Sequence, residues 1–342
     1  MNLLYPNSQD LINRLSDYPD QIKVSVLLIF LCLLAFVHLC IYIFVRRLKQ
    51  KIAGTRDAKF REIITNMLAH IILYDDLEDV DKAVQHFVPR FKKILGVSPA
   101  VRELLVRELL TYHGNFTGKT AEILKGIYLG LELDKQARKK LTSWHWERQV
   151  EGIHELTKLW IRQDADLILK LTNSKNSTLR MEAQISYLKL STEDSFRFLD
   201  HAREAILEWH QLVLFEVITK TRNVQIPSFG KWLASSNDSV VMLCLKLVDH
   251  YQQLETIPQL IGLISHPDLK VRSKAINVLG KLEAEMAEGY FFEIYDQQPA
   301  EIRNEILKAM GRISSGNYLD FLSGRLASEE YEIRMNAIRS IW

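Results

Sequence analysis

The sequence predicts an all-α chain, with a single transmembrane helix near the N-terminus followed by an α-solenoid of about six to seven helix pairs. Two observations predict it. Residues 24–45 run without a formal charge, and further along the chain one apolar-periodic motif returns about every 31 residues. Composition agrees: 47% of residues are hydrophobic and 25% charged, with 14 Gly and 8 Pro in 342 positions. That leaves too few turn formers for a loop-rich β protein and too much apolar surface for disorder.

The span comes first. At ~1.5 Å per residue the run 24–45 reaches about 33 Å, enough for the hydrocarbon core of a bilayer. Arg46, Arg47, Lys49 and Lys51 follow at once, joined by Arg56, whereas only Arg14 and Lys23 precede it. The positive-inside bias therefore predicts residues 1–23 as a short extracytoplasmic segment and everything after the span on the cytoplasmic side of a plasma (inner) membrane. A cleaved signal peptide fits badly, because the run is long, starts late and ends in basic residues. His38 is read as a neutral side chain against a neighbouring helix, since a proton relay needs companions. Sequons at 115–117, 176–178 and 237–239 would then face the cytoplasm and stay unmodified. After the basic juxtamembrane stretch 46–56, residues 57–143 read as helices forming an N-terminal cap. In them 59–74 carries Phe60, Ile63, Ile64, Met67, Leu68, Ile71 and Ile72, and Ser98 before Pro99 marks a helix start.

Residues 144–342 carry the repeat. The segments 179–183 (LRMEA), 271–275 (VRSKA), 302–306 (IRNEI) and 333–337 (IRMNA) align on Arg180, Arg272, Arg303 and Arg334. Weaker copies at 209–213 and 240–244 fill the gap, so that anchors at 180, 210, 241, 272, 303 and 334 keep spacings of 30 or 31, with an earlier copy near Arg148. Each anchor opens an amphipathic helix, as Val271, Ala275, Val278, Leu279 and Leu282 show on one stripe. A second helix is expected before each, for example at 257–264, 290–295 and 318–322. Pro227 and Pro258 are placed in first helical turns.

The motif at 270–280 (KVRSKAINVLG) resembles HEAT repeats, and the resemblance covers about residues 145–342. Residues 118–131 and 141–156 look like the start of the repeat region in membrane-anchored bacterial HEAT proteins. The resemblance implies a protein-binding scaffold and supplies no reaction and no cofactor.

Candidate chemistry is sparse. Residues 114–120 (GNFTGKT) imitate a phosphate loop, but the spacing is one residue short and a helix precedes it; Thr117 is expected to cap the next helix. The anchor arginines are expected to bond carboxylates and carbonyls of adjacent turns, with Asp268 suited to Arg272. Trp144, Trp146 and Trp209, each next to a histidine, are expected to pack between helices. Metal-ligand spacing is absent, His154-Glu155 being one isolated pair. The candidate partner-binding face is the outward side of the repeat helices: Lys274, Asn277, Lys281, Lys308, Arg312 and Arg339, columns that would favour an acidic partner if they line one surface. Glu305 and Asn336 dilute them. The apolar residues Ile338, Ile341 and Trp342 are expected to meet a partner, a second copy of the chain as a homo-oligomer, or the preceding repeat.

Net charge is −1 over residues 1–45 and +3 over the rest, far from the basic excess of a nucleic-acid binder. The expected function is thus a tethered protein–protein interaction scaffold at a membrane complex. A HEAT-fold enzyme or cofactor lyase is the first alternative, which a strongly perturbed ionisable cluster in a deep cleft would favour. A nucleic-acid-binding HEAT protein is the second, which a continuous basic inner surface would favour and the near-neutral charge disfavours.

Overall fold

The structure, a computed structural model, describes residues 19–73, 79–96, 98–221 and 225–341. Most of the expected extracytoplasmic segment, together with Tyr74 and Trp342, lies outside these residues, as do the side chains of Lys49 and Lys51. Among the described residues there is no strand.

The chain divides into two compact units, residues 1–127 and 128–342. In the first, α1 (Asp20–Ile72) is one helix of 53 residues, about 80 Å long at 1.5 Å per residue. Within it Leu27–Arg47 has a mean hydropathy of 2.9 and buries nothing against the protein, which makes it long and apolar enough to cross a membrane. What the sequence separates into span, basic stretch and next helix is continuous. Residues 46–56 are rich in Arg, Lys, Gln and Leu, good helix formers, and Gly54 alone does not stop the helix. The far end of α1 buries Ile64, Leu68 and Ile71, spaced to share one face. They lie in the same core as α2 (Val80–Leu95, capped by Asp79) and α3 (Pro99–Asn115, capped by Ser98 as its sequence predicts), and α4 (Lys119–Gly130) carries the chain across the unit boundary.

The second unit opens with α5 (Leu133–Leu141) and continues as a helical repeat. Its long helices are α6 (Trp146–Lys158), α8 (Ser177–Leu190), α9 (Glu208–Lys220), α10 (Asp238–Tyr251), α12 (Leu269–Lys281), α14 (Ala300–Ile313) and α16 (Tyr331–Ile341). They begin at residues 146, 177, 208, 238, 269, 300 and 331, so the 30–31-residue period of the sequence is the period of the structure. The short elements between them are α7 (Ala165–Leu169), α11 (Ile257–Gly262), α13 (Met286–Ile294) and α15 (Leu319–Gly324). In two repeats the expected second helix shrinks to a 3₁₀ turn, at Arg197–His201 and Phe229–Ala234. Aromatic rings fill that space instead: Phe196, Phe198, Phe229 and Trp232 are all buried, and the Phe196 and Phe229 rings meet edge-on at 5.2 Å. Pro227 consequently precedes a 3₁₀ turn, whereas Pro258 does sit in the first turn of α11.

Three of the long helices, α8, α10 and α12, start at an asparagine or aspartate cap, whereas α6, α9 and α14 have no side-chain cap bond. Asn176 accepts from the Leu179 amide at 3.0 Å, Asn237 from Ser239 at 3.1 Å, and Asp268 from Lys270 and Val271 at 2.8 and 3.0 Å. Two sequon asparagines are therefore caps, which accounts for Asn-x-Ser/Thr at those places without any sugar.

Successive long helices approach closely where side chains vanish. A Cβ on Gly280 would fall 2.7 Å from the Ala309 Cα, and one on Gly311 would fall 2.6 Å from the Ser340 Cα, both backbone atoms with nowhere to go. Gly280→Ala and Gly311→Ala are each expected to destabilise by about 1–3 kcal/mol, lowering the melting temperature by several degrees. Gly262→Ala, where no atom lies within 4 Å, should leave it unchanged or slightly raised. Thermal unfolding followed by circular dichroism decides; equal melting of all three would refute the close-packing account.

Candidate functional site

The anchor arginines tie their helices to the turn before them, to the next repeat, or, for Arg180 and Arg272, to both. Arg180, buried, donates to the carbonyls of Ser174, Lys175 and Ala205. Arg272 donates twice to the His266 carbonyl, at 3.0 and 2.8 Å, and to Gln298 Oε1 at 2.6 Å. Arg303 pairs with Glu330 at 2.7 Å, and Arg334 donates to the carbonyls of Ser328 and Glu329. Asp268, expected to serve Arg272, is instead occupied as the cap of α12. A planar fork of donors suits this task because it satisfies several fixed carbonyls at once.

The basic columns lie on the polar side of the long helices, and the chain itself answers most of their charge. Lys274 and Lys281 both reach Asp249 on α10, at 3.2 and 2.6 Å. Burial works to raise the Asp249 carboxyl, but the two ammonium groups outweigh it and hold it below the usual carboxylate range. Asn277 donates to Glu305 at 2.6 Å, and Lys308 and Arg312 approach the same carboxylate at 3.6 and 3.8 Å. Of the six predicted residues, Lys281, Lys308, Arg312 and Arg339 are exposed; Asp249 holds Lys281 at 2.6 Å, which leaves Lys308, Arg312 and Arg339 as the less tightly paired exposed cations. They share the α14–α16 region with a groove of about 600 Å³, lined by Ser273, Glu301, Asn304, Lys308, Glu330 and Glu332 among others. Asn304 and Asn336, both buried, cross this region by a 2.9 Å amide–amide bond, and Asn304 also donates to Glu332 at 3.2 Å.

Reading the sequence counted Glu305 as diluting the columns but missed Asp249 as a counter-charge. Asp249 precedes Lys274 and Lys281 by 25 and 32 residues, so asking which acids stand about one repeat upstream would have found it. It also missed a buried charged cluster at the start of the repeat. Tyr128 donates to Glu155 at 3.3 Å, Lys140 pairs with Glu155 at 2.5 Å, and Arg138 bridges Asp134 and Asp164 at 2.9 and 2.8 Å. Burial, then the charges of Glu155, Asp134 and Asp164, push the Tyr128 hydroxyl far up; burial also raises Glu155 against the pull of Lys140. Two cations serve three carboxylates, each carboxylate having one of them within reach, and the cluster lines neither the groove above nor the larger polar one at Asn173, Asp200, Asn237 and Ser239.

The remaining motifs fall elsewhere. Gly114 lies inside α3 and Gly118, at φ +67°, opens α4; Thr117 stands one residue before the cap position, so no phosphate cradle and no Thr cap form. Trp144 is fully exposed, and Trp146 and Trp209 are partly so, at 39% and 51%, because they occupy the loop before α6 and the first turns of α6 and α9 instead of facing a helix. His154 pairs with Glu182 at 2.9 Å while its sequence neighbour Glu155 turns into the buried cluster.

No family model matches the chain, and no curated protein matches it. Two solved structures of engineered proteins are similar to it. One is 16% identical and covers 61% of this chain and 94% of its own, with a TM-score of 0.31; the other is 14% identical and covers 84% and 94%, with a TM-score of 0.33. At those scores the likeness adds nothing to a fold read from this chain's own period.

The Asp249 node has a pH signature. Its carboxyl titrates lower folded than unfolded, so the pairing stabilises fully above about pH 4 and fades as pH falls through the depressed folded-state value. Asp249→Asn should cost roughly 1 kcal/mol in urea unfolding at pH 7, with the gap to wild type closing toward pH 3. A gap that persists undiminished in acid would mean that the side chain acts by packing alone.

Proposed function

We propose that the chain is a single-pass protein of the bacterial inner membrane, with its N-terminus outside and a cytoplasmic HEAT-type solenoid that binds protein partners and so assembles or regulates a membrane-associated complex. The observation that carries this reading is the joining, in one chain, of an apolar helix exposed along its whole spanning window and a helical repeat that presents a long polar face. Arginines at the same place in successive long helices support the HEAT assignment, and exposed Arg46 and Arg47 at the end of the apolar window support the orientation. Lys308, which lines the α14–α16 groove, and the exposed Arg312 and Arg339 further along the same two helices are the partner-facing groups on this reading, with no cofactor required.

The buried cluster around Tyr128 and Glu155 is the feature that favours the enzyme alternative. Its groups are shifted, yet a substrate would have to displace ion pairs to reach them. Scaffold binding is the stronger reading.

The test is a pull-down of the full-length protein from detergent-solubilised membranes beside a Lys308→Glu/Arg312→Glu/Arg339→Glu variant. Lys274 and Lys281 are left intact, because reversing them would set carboxylates against Asp249 and disturb the fold. A stoichiometric partner present with wild type and lost with the variant is the expected result. A partner retained by the variant moves binding to another face, and no partner under any condition sinks the scaffold reading.

A further inference from the structure

A second surface belongs to the short-helix layer, where α13 and α15 form one continuous patch. The Phe292 ring meets Tyr318 at 5.7 Å and Phe321 at 5.2 Å, and Gly289 lets Tyr318 come close: a Cβ there would stand 3.3 Å from its hydroxyl. Helical spacing fixes what faces outward. On α13, Met286 and Tyr290 occupy one edge of the exposed side and Phe292 the other, 69%, 48% and 49% exposed, with Glu285, Glu293 and the following Asp296 between them. On α15, Leu319 is 48% exposed and Asp320 lies beside it, while Glu283 stands in the turn before α13. Against these five exposed carboxylates the patch holds one cation, Arg325. That guanidinium is already committed, stacked 4.7 Å over both Tyr295 and Phe321 and paired with Asp296 at 3.5 Å. The whole stretch 282–342 carries eleven acidic and six basic residues.

We propose that this face docks a basic amphipathic helix of a partner protein, whose apolar stripe covers Met286, Tyr290, Phe292 and Leu319 and whose lysines or arginines meet the flanking carboxylates. Charge complementarity selects that occupant. An acidic helix would be repelled by five carboxylates, an anionic lipid surface equally so, and an uncharged apolar helix would leave those groups desolvated and unpaired. An amphipathic cationic helix satisfies both halves of the patch at once. This goes beyond the scaffold reading, which concerns the long-helix face, and the two fail separately.

The probe is a fluorescein-labelled 14-residue peptide of leucine and lysine, with leucines at i, i+3, i+4 and i+7. It is titrated by anisotropy against the full-length protein in phosphatidylcholine nanodiscs, with empty nanodiscs subtracted. Saturable binding is expected. It should weaken at least tenfold in Glu285→Lys/Glu293→Lys/Asp320→Lys and, independently, in Met286→Ser/Tyr290→Ser, since all five side chains are exposed and should leave the thermal melt unchanged. A leucine–glutamate peptide of the same length should not bind. Equal affinity for wild type and both variants overturns the proposal by placing the peptide elsewhere, as does binding no stronger than to empty discs. Loss of peptide binding with the pull-down partner of Lys308, Arg312 and Arg339 retained would leave both surfaces standing; a missing peptide interaction in wild type removes only this one.

Discussion

Where α12 meets α14 and α14 meets α16, the repeat rests on the absence of two side chains. Gly280 and Gly311 stand one 31-residue period apart, and each admits the backbone of the following long helix, at Ala309 and Ser340, to a distance no Cβ would allow. That approach brings the polar edges of neighbouring helices within reach of one another. The Asn304–Asn336 bond, the Ser340 hydroxyl donating to the Leu307 carbonyl at 2.6 Å, and the pairing of Asn277 with Glu305 all span adjacent long helices there. Arginine forks then reach from one repeat into the turn of the following one, where Arg180 satisfies the Ala205 carbonyl and Arg272 meets the Gln298 side chain.

This packing has an electrostatic consequence for any partner. On the long-helix face, lysines that look like a binding stripe in one dimension are drawn onto Asp249, a carboxylate half hidden between them, and the outward positive field contracts to a few residues near α14 and α16. On the short-helix face the carboxylates of α13 and α15 have a single cation among them. Surfaces of opposite charge favour opposite ligands, because repulsion of the wrong charge contributes to specificity as much as attraction of the right one.

The cluster of Tyr128, Asp134, Arg138, Lys140, Glu155 and Asp164 marks the start of the repeat, where α5, α6 and the turn at Arg162–Asp164 meet. Buried charges persist there because each finds an opposite charge within hydrogen-bond range. Such a network specifies one arrangement of its helices more than it adds stability, since desolvation offsets much of the attraction.

The sequence by itself determined the all-α class, the repeat length, the anchor positions, the start of α3 at Ser98 and the apolar window of α1. These are local properties: apolar spacing along one helix, and the donors and acceptors available at its first turn. Only the tertiary structure decided the rest. It made one helix of the span and the residues beyond it, replaced two expected helices with ring-filled 3₁₀ turns, exposed Trp144, turned Asp268 from an arginine partner into a cap and gave the columns of Lys274 and Lys281 to Asp249. Each depends on how close two separate helices come, which is fixed by side-chain volume at their contact and leaves no periodic trace in the chain.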